Sequence, residues 1–242
     1  MATWAGRERQ YFAETDSTNR QARQAAANGA TFGAVFVAGS QTGGRGRRGR
    51  PWESQPGMSL LLSIVLRADT ANRPLLSFAV ALAAADACEA ACGEKAMIKW
   101  PNDIVMNGKK VAGILLENEG GTVAAGIGIN VRQTENDFPE AFREKAASLE
   151  SQSGRLVSME KLEAALLDAI EKYVDGGDCL AAYRSRCVTL GAKVRVFPAG
   201  ESFLGVAVDL DSSGALLVRD TEGVLRTVFA GDVSVRGENG YV

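Results

Sequence analysis

The chain of 242 residues contains no histidine. That excludes histidine-based nucleophilic triads, a histidine general base and most zinc sites, since imidazole ordinarily supplies those functions. Cysteine is scarce: Cys88 and Cys92 fall four apart in an alanine-rich stretch, and Cys179 and Cys187 lie near a second helical one. Such spacing reads as core or half-buried thiols rather than a disulfide framework. No apolar run reaches the ~18–20 residues that a membrane span needs. The N-terminal residues lack the basic start and apolar core of a secretory signal. A cytoplasmic protein with no membrane partner is the expectation. Neither sign of charge dominates, the formal net being −2. With 46% hydrophobic and 23% charged residues, the composition is that of a soluble globular chain, long enough for one large domain and a small one.

Positive charge is densest in one loop. The stretch SQTGGRGRRGRPWES, Ser40 to Ser54, holds four arginines within Arg45–Arg50, and without them the net charge would be −6. Guanidinium forks match phosphate and carboxylate oxygens, and the interspersed glycines allow a backbone to approach a ligand closely. The segment is suited to closing over a small anion. Gly44, Gly46 and Gly49 match the spacing of a dinucleotide-binding turn, but that motif must open a helix. Here Arg50-Pro51-Trp52 follows instead. No Gly-Lys-Ser/Thr ends the run, which excludes a P-loop. Taken alone, a solvated Arg/Gly run is an equal reading.

Along the chain, Asp16 or Ser17 reads as the N-cap of a helix running to Ala27, stopped by Asn28-Gly29. Residues 34–38 and 58–66 read as strands, the second apolar almost throughout. Pro74 begins a long helix over 75–91, closed by Gly93. A short strand at 97–100 leads into Pro101-Asn102-Asp103. Strands at 104–106 and 110–116 flank Asn107-Gly108, a strong hairpin signal. Residues 122–131 read as a further strand, and helices are expected over 158–174 and from about 178 to 187. Then the texture changes. Five short strand candidates, at 193–197, 203–209, 215–219, 224–229 and 233–236, are separated by Gly, Asp and Ser as in a small all-β module. The expected domains are 1–187 and 188–242.

Four segments fall in a telling order: Asp16-Ser17-Thr18-Asn19, the loop Gln41–Trp52, KWPND at Lys99–Asp103, and KKVAGILLE at Lys109–Glu117 followed by GIGIN at Gly126–Asn130. Together they resemble biotin protein ligases, strongly over residues 11–131 and weakly beyond, where Gly231-Asp232-Val233-Ser234 looks like that family's closing segment. The resemblance implies an α+β fold: a mixed sheet packed by helices, like class II aminoacyl-tRNA synthetases, and a small C-terminal Src-homology-3-like β-barrel. It implies a two-step reaction. Biotin and ATP, with magnesium, give biotinyl-adenylate; a lysine of a biotin carboxyl carrier protein then takes the biotinyl group. Neither step needs a covalent enzyme intermediate, which suits a chain without histidine.

Carried over residue by residue, the resemblance makes Ser17, Thr18, Asn19 and Gln41 polar contacts to biotin. Gly44, Arg45, Gly46 and Arg47 become the ligand-closing loop, with Arg45 and Arg47 near the biotin carboxylate and the nucleotide phosphates. Arg48 and Arg50 join the ATP contacts, and Trp52 becomes an apolar cover. Lys110 matches the lysine that contacts the activated carbonyl and phosphate; with Arg47 it is the catalytic pair. Lys99, Asn102 and Asp103 are placed at the nucleotide, Asp103 also as a magnesium ligand. Gly113 lies against the adenylate and Asn130 at the adenine. Read singly, Ser17 is a helix cap, Trp52 a core residue, Lys110 an exposed hairpin lysine, and Asn102 and Asp103 ordinary turn residues.

A lipoate or octanoate ligase has related chemistry, but its motif carries a nearby histidine. A nucleic-acid binder would interleave aromatics through a broad basic groove, whereas here Trp52 is the one aromatic near the loop and the rest is acidic; no nucleic-acid partner is expected. A ligase that doubles as a repressor carries an N-terminal helix-turn-helix, for which the residues before the first motif leave no room. A homodimer through sheet edges stays open.

Overall fold

The computed structural model describes residues 4–67, 75–119, 121–176, 179–197, 201–230 and 234–237. The expectations placed on Pro74, on Asp178 and on the closing segment 231–233 lie outside them.

Seven strands form one sheet. They are β1 (Arg9–Phe12), β2 (Val35–Ala38), β3 (Ser59–Arg67), β4 (Met97–Lys99), β5 (Asp103–Met106), β6 (Lys109–Glu119) and β7 (Thr122–Asn130), in the order β1-β2-β3-β7-β6-β5-β4. β1 runs parallel to β2 and every other pairing is antiparallel, so the sheet is mixed. β5 and β6 meet at Asn107-Gly108, whose φ angles of 47° and 78° are the left-handed pair that a two-residue hairpin turn requires.

Alternation along the strands divides the sheet into two unlike faces. On one, Leu60, Leu62, Ile64 and Leu66 of β3 join Ala125, Ile127 and Ile129 of β7 in the main core. Helix α2 (Leu76–Cys92), rich in alanine and buried along most of its length, packs there. α4 (Met159–Asp175) covers α2, burying Leu162, Leu166, Ala169, Ile170 and Val174 at helical spacing. Each fully buried leucine contributes about 1.5–3 kcal/mol. The other face carries α1 (Thr18–Ala27), whose Ala22 packs with Ala34, Phe36, Val65 and Ala124. Short helices α3 (Leu149–Ser153) and α5 (Leu180–Arg186) pack with α2 on the main-core side, where Leu149, Leu180 and Tyr183 are buried. No described helix is long and apolar enough to cross a membrane.

The remaining strands, β8 (Lys193–Phe197), β9 (Phe203–Leu210), β10 (Leu216–Asp220), β11 (Leu225–Val228) and β12 (Ser234–Gly237), make a five-stranded antiparallel sheet in the order β11-β10-β9-β8-β12. This is the small all-β module expected from the spacing of turns, and the SH3-like module that the resemblance implies. It is fastened to the first sheet by polar contacts: Trp100 Nε1 donates to the Gly214 carbonyl at 3.0 Å, and the Trp100 N–H to Thr189 Oγ1 at 2.9 Å. Arg184 reaches Asp209 at 2.8 Å.

Candidate active site

On the α1 side of the sheet the central strands lose their side chains. In register, Ser63 of β3, Gly126 of β7 and Leu115 of β6 form one row, and Leu61, Gly128 and Gly113 the next. The glycines leave a shallow trough into which two side chains settle. A Cβ at Gly126 would approach Asn19 Cγ to 2.9 Å, and one at Gly128 would lie 2.5 Å from Trp52 Cε2. Gly113 likewise sits against Trp52 Cζ3, at 2.9 Å from a Cβ built there. These glycines are needed for the space they leave rather than for their backbone freedom.

Asn19, Thr18 and Gln41 make a closed polar network at one end of the trough. Ser17 occupies the N-cap position of α1, but its hydroxyl does not cap the helix. Gln41 does that instead: its Oε1 accepts from the Thr18 N–H at 2.7 Å and from Thr18 Oγ1 at 3.1 Å. Among the described residues neither the Ser17 hydroxyl nor the Gln41 Nε2 group is spent on this network. Both amide protons of Asn19 are used, by the Leu115 carbonyl at 3.2 Å and by Glu117 Oε2 at 2.8 Å. Ser63, fully buried, lies 2.8 Å from Thr18 Oγ1 and 2.7 Å from Asn19 Oδ1, and its single proton serves either. With its amide oriented this way, Asn19 can offer a ligand only its oxygen. Donor and acceptor amides side by side suit a small molecule bearing both C=O and N–H groups.

The arginine loop closes over the other end. Gly46 N–H donates to the Arg50 carbonyl at 2.7 Å and Trp52 N–H to Gly44 at 2.9 Å, so residues 44–52 fold back on themselves. Arg48, with φ 59°, turns the loop in a conformation that non-glycine residues seldom adopt. Arg45 points to Glu117 at 3.3 Å. Arg47 donates to Asn102 Oδ1 at 3.0 Å and to the backbone carbonyl of Ala230, in the C-terminal module. Burial pushes the Arg47 pKa below its ordinary value, and the nearby Asp103 charge opposes that shift. Arg48 and Arg50 are exposed. Trp52 is half-buried, and its Nε1 is a buried donor without a partner among the described residues.

Facing the loop, the turn after β4 is held rigidly. Tyr183 donates to the Pro101 carbonyl at 3.0 Å and stacks on Phe78; burial holds its phenol well above the usual range. Asn102 Nδ2 donates to the Ile114 carbonyl at 2.6 Å, and Asp103 Oδ1 lies 2.5 Å from Lys110 Nζ. Lys110 Nζ also sits 5.3 Å from the Trp52 ring centroid, within cation–π range. Lys99 is buried and opposite Asp103 in register. Farther along β7, Asn130 is buried and spends its Nδ2 on the Ala147 carbonyl at 3.1 Å. Next to it Gln133, also buried, donates to Ser59 Oγ at 2.5 Å, while its Oε1 has no partner among the described residues. An open groove of about 470 Å³, lined by Glu53, Ser54, Gln133, Asp137, Phe138 and Arg143, lies beside it.

The structure therefore brings Ser17, Thr18, Asn19, Gln41, Gly44, Arg45, Arg47, Trp52, Asn102, Asp103, Lys110 and Gly113 around one trough. Gly46 lies in the covering loop, Arg48 and Arg50 at its exposed tip, and Lys99 and Asn130 in the layer behind. Three residues of the site escaped the sequence reading. Ser63 is the lone polar residue inside the apolar run of β3, which was a usable signal. Glu117 ends the KKVAGILLE segment, and Gln133 follows GIGIN by three positions.

Sequence comparison accords with this arrangement. The Biotin/lipoate A/B protein ligase family profile matches residues 11–133, and that of the Biotin protein ligase C terminal domain matches 189–236. A biotin--[acetyl-CoA-carboxylase] ligase of Mycobacterium tuberculosis is 36% identical over 236 residues, covering 91% of this chain and 86% of that one. The bifunctional ligase/repressor BirA of Bacillus spizizenii is 35% identical over 232 residues, covering 90% and 71%. Among solved structures, the biotin protein ligase from Aquifex aeolicus in complex with biotin and ATP superposes with a TM-score of 0.85 at 28% identity, over 96% of this chain and all of the other. On these grounds the chain belongs to the biotin protein ligase family.

Proposed function

We propose that this protein joins biotin to a carrier-protein lysine in two steps at the trough between α1 and the arginine loop. The observation that carries the reading is that four segments far apart in sequence meet over one strip of glycines. In the first step a biotin carboxylate oxygen bonds to the α-phosphorus of ATP, and the bond from that phosphorus to the pyrophosphate oxygen breaks. In the second, the neutral lysine amine bonds to the acyl carbon, the bond to AMP breaks, and the amine loses a proton. No side chain need become covalently attached, so the work of the protein is positioning and charge stabilisation.

Ser17, Thr18, Asn19 and Gln41 hold the ureido ring: the Asn19 oxygen accepts a ring N–H, and Gln41 Nε2 and Ser17 donate to the ring carbonyl. Trp52 covers the ring and chain. Lys110 and Arg47 face the reacting carboxylate and α-phosphate, with Arg45 at the carboxylate and Arg48 and Arg50 at the outer phosphates. Asp103 fixes Lys110, and Asn102 fixes Arg47. The base of ATP lies toward Asn130 and Gln133, where the free Gln133 Oε1 requires a donor that the 6-amino group of adenine provides.

Magnesium accompanies the nucleotide. Among the described residues no group of three or more acidic or cysteine side chains gathers to cage an ion. A single carboxylate, Asp103, fits an ion held largely by phosphate oxygens and water. Bound with ATP, the ion neutralises phosphate charge. The enzyme acts in the cytoplasm on a biotin carboxyl carrier domain, without a nucleic-acid partner.

Mass spectrometry of the protein incubated with biotin and magnesium ATP, alongside lipoate and no-biotin controls, tests the reading. Biotinyl-adenylate formed only with biotin is expected. Lipoyl-adenylate, or neither product, would overturn it.

A further inference from the structure

The two oxygens of the Glu117 carboxylate serve different parts of the site. Oε2 receives Asn19 Nδ2 at 2.8 Å, on the floor of the trough. Oε1 lies 3.3 Å from Arg45 Nη2, on the covering loop, and 3.6 Å from Arg23 Nη1, on α1. Glu117 stands in the row with Ala124 and Val65, one row behind Gly126, on a strand paired along its length with β7. The carboxylate is therefore a fixed point and the loop is the part that can yield. Apart from the packing of Trp52, residues 44–52 are tied to the body by two side chains among the described residues: Arg47, to Asn102 and Ala230, and Arg45, to Glu117. The Arg45 side chain is 47% exposed, whereas Arg47 is half-buried, so the Arg45 tether is the more accessible of the two.

We propose that Glu117 is a positioning residue that latches the arginine loop to the biotin pocket and so sets how long the reactive adenylate is retained. This rests on the ligase reading given above. One oxygen orients the Asn19 amide so that its oxygen faces biotin, while the other holds Arg45 down over the same ligand. Without the charge, the loop hinges on Arg47 alone, and the mixed anhydride escapes before a carrier lysine arrives. Retention of a reactive intermediate is a property of a closed, water-excluding site. The one ion pair that holds the loop, partly exposed, corresponds to a change of about 1.5- to fivefold.

Two substitutions separate the two roles. Glu117→Gln keeps an amide oxygen for Asn19 and removes the charge; Glu117→Ala removes both. With biotin and ATP and no carrier, Glu117→Gln should release free biotinyl-adenylate about 1.5- to fivefold faster than the native protein, with biotin affinity changing less than in Glu117→Ala. Glu117→Ala should weaken biotin binding as well. Salt should speed release from the native protein by screening the pair, and this dependence should flatten in Glu117→Gln. Arg45→Met leaves the strand untouched but also removes the contact to the biotin carboxylate, so it should weaken biotin binding as well as flatten the salt dependence, and Glu117→Gln should not speed release further on that background. Release and salt dependence equal to native in Glu117→Gln, or additive effects in the double variant, would overturn the role of Glu117 alone. A native protein that makes no biotinyl-adenylate would overturn the ligase reading and this role with it.

Discussion

Substituting Gly126 by alanine tests the geometry of the trough with one methyl group. The added carbon would overlap Asn19 Oδ1 and stand 2.9 Å from Cγ and 3.0 Å from Nδ2. Asn19 is 4% exposed and held by Leu115, Glu117 and Ser63. Swinging it aside breaks three hydrogen bonds, at about 0.5–1.5 kcal/mol for each neutral one and about 1.5–3 kcal/mol for that to Glu117. Displacing β7 instead strains ladders on both sides; overpacking of this kind costs about 1–3 kcal/mol. The cheaper route prevails, so the expected loss is about 1–3 kcal/mol, read by urea unfolding of native and variant protein. Biotin affinity should fall about tenfold or more, because one route moves the Asn19 oxygen and the other moves the trough floor beneath it. Gly46→Ala, where the nearest atom is 3.6 Å from the added carbon, is the stability control and should cost under ~0.5 kcal/mol. Adding Asn19→Gly to the Gly126 variant removes the overlap, so the pair should destabilise by less than the sum of the singles. Native stability together with native biotin affinity in Gly126→Ala would refute the reasoning.

Other outcomes follow from the same contacts. Arg47→Ala should lower adenylate formation by ~10²–10³, the usual effect of losing one charge-stabilising donor, and normal turnover in a stopped assay would remove Arg47 from the reaction. Gln133→Met, close in shape but without the acceptor, should narrow the preference for ATP over inosine triphosphate by about tenfold or more, the worth of one buried hydrogen bond to a base; an unchanged ratio of kcat/KM values would place the base elsewhere. Burial, and then its hydrogen bond to the Asp86 carboxylate at 2.8 Å, push the Tyr173 phenol up to about 12. The unfolded chain releases that proton near ~10, so the contribution is complete below that pH and is lost as pH rises toward 12. Tyr173→Phe should therefore be the less stable protein at pH 8, by denaturant midpoint, with the gap closing by pH 12; a constant gap would contradict the assignment.

Local chemistry made much of this fold readable. Asn107-Gly108 announced its hairpin, Gly93 its helix end, and the Gly, Asp and Ser punctuation after residue 188 a small β-module whose five strands appear within a residue or two of their expected ends. Contacts set by long-range register were not readable. β1 is four residues long, mostly exposed and paired only through β2. α3 is five residues long, too short to show a helical period. Ser17 looked like the cap of α1, but the capping oxygen comes from Gln41, 23 positions from Thr18. The glycines of β7 suggested a close approach; that Asn19 and Trp52 are what approach depends on the way α1 and the arginine loop cross the sheet. Glu117 and Ser63 become site residues only when three strands align their rows.

The bond from Arg47 to the Ala230 carbonyl joins the loop to a part of the molecule almost two hundred positions away in sequence. Its acceptor belongs to the main chain, so any residue at position 230 could supply it. Substitution within the C-terminal module can therefore proceed freely at that point without disturbing the arginine. Insertion, deletion or a tilt of the module cannot, because each would carry the carbonyl away. Two portions of the chain that build separate sheets are thus coupled through position alone, by an acceptor that is indifferent to the side chain carried at 230.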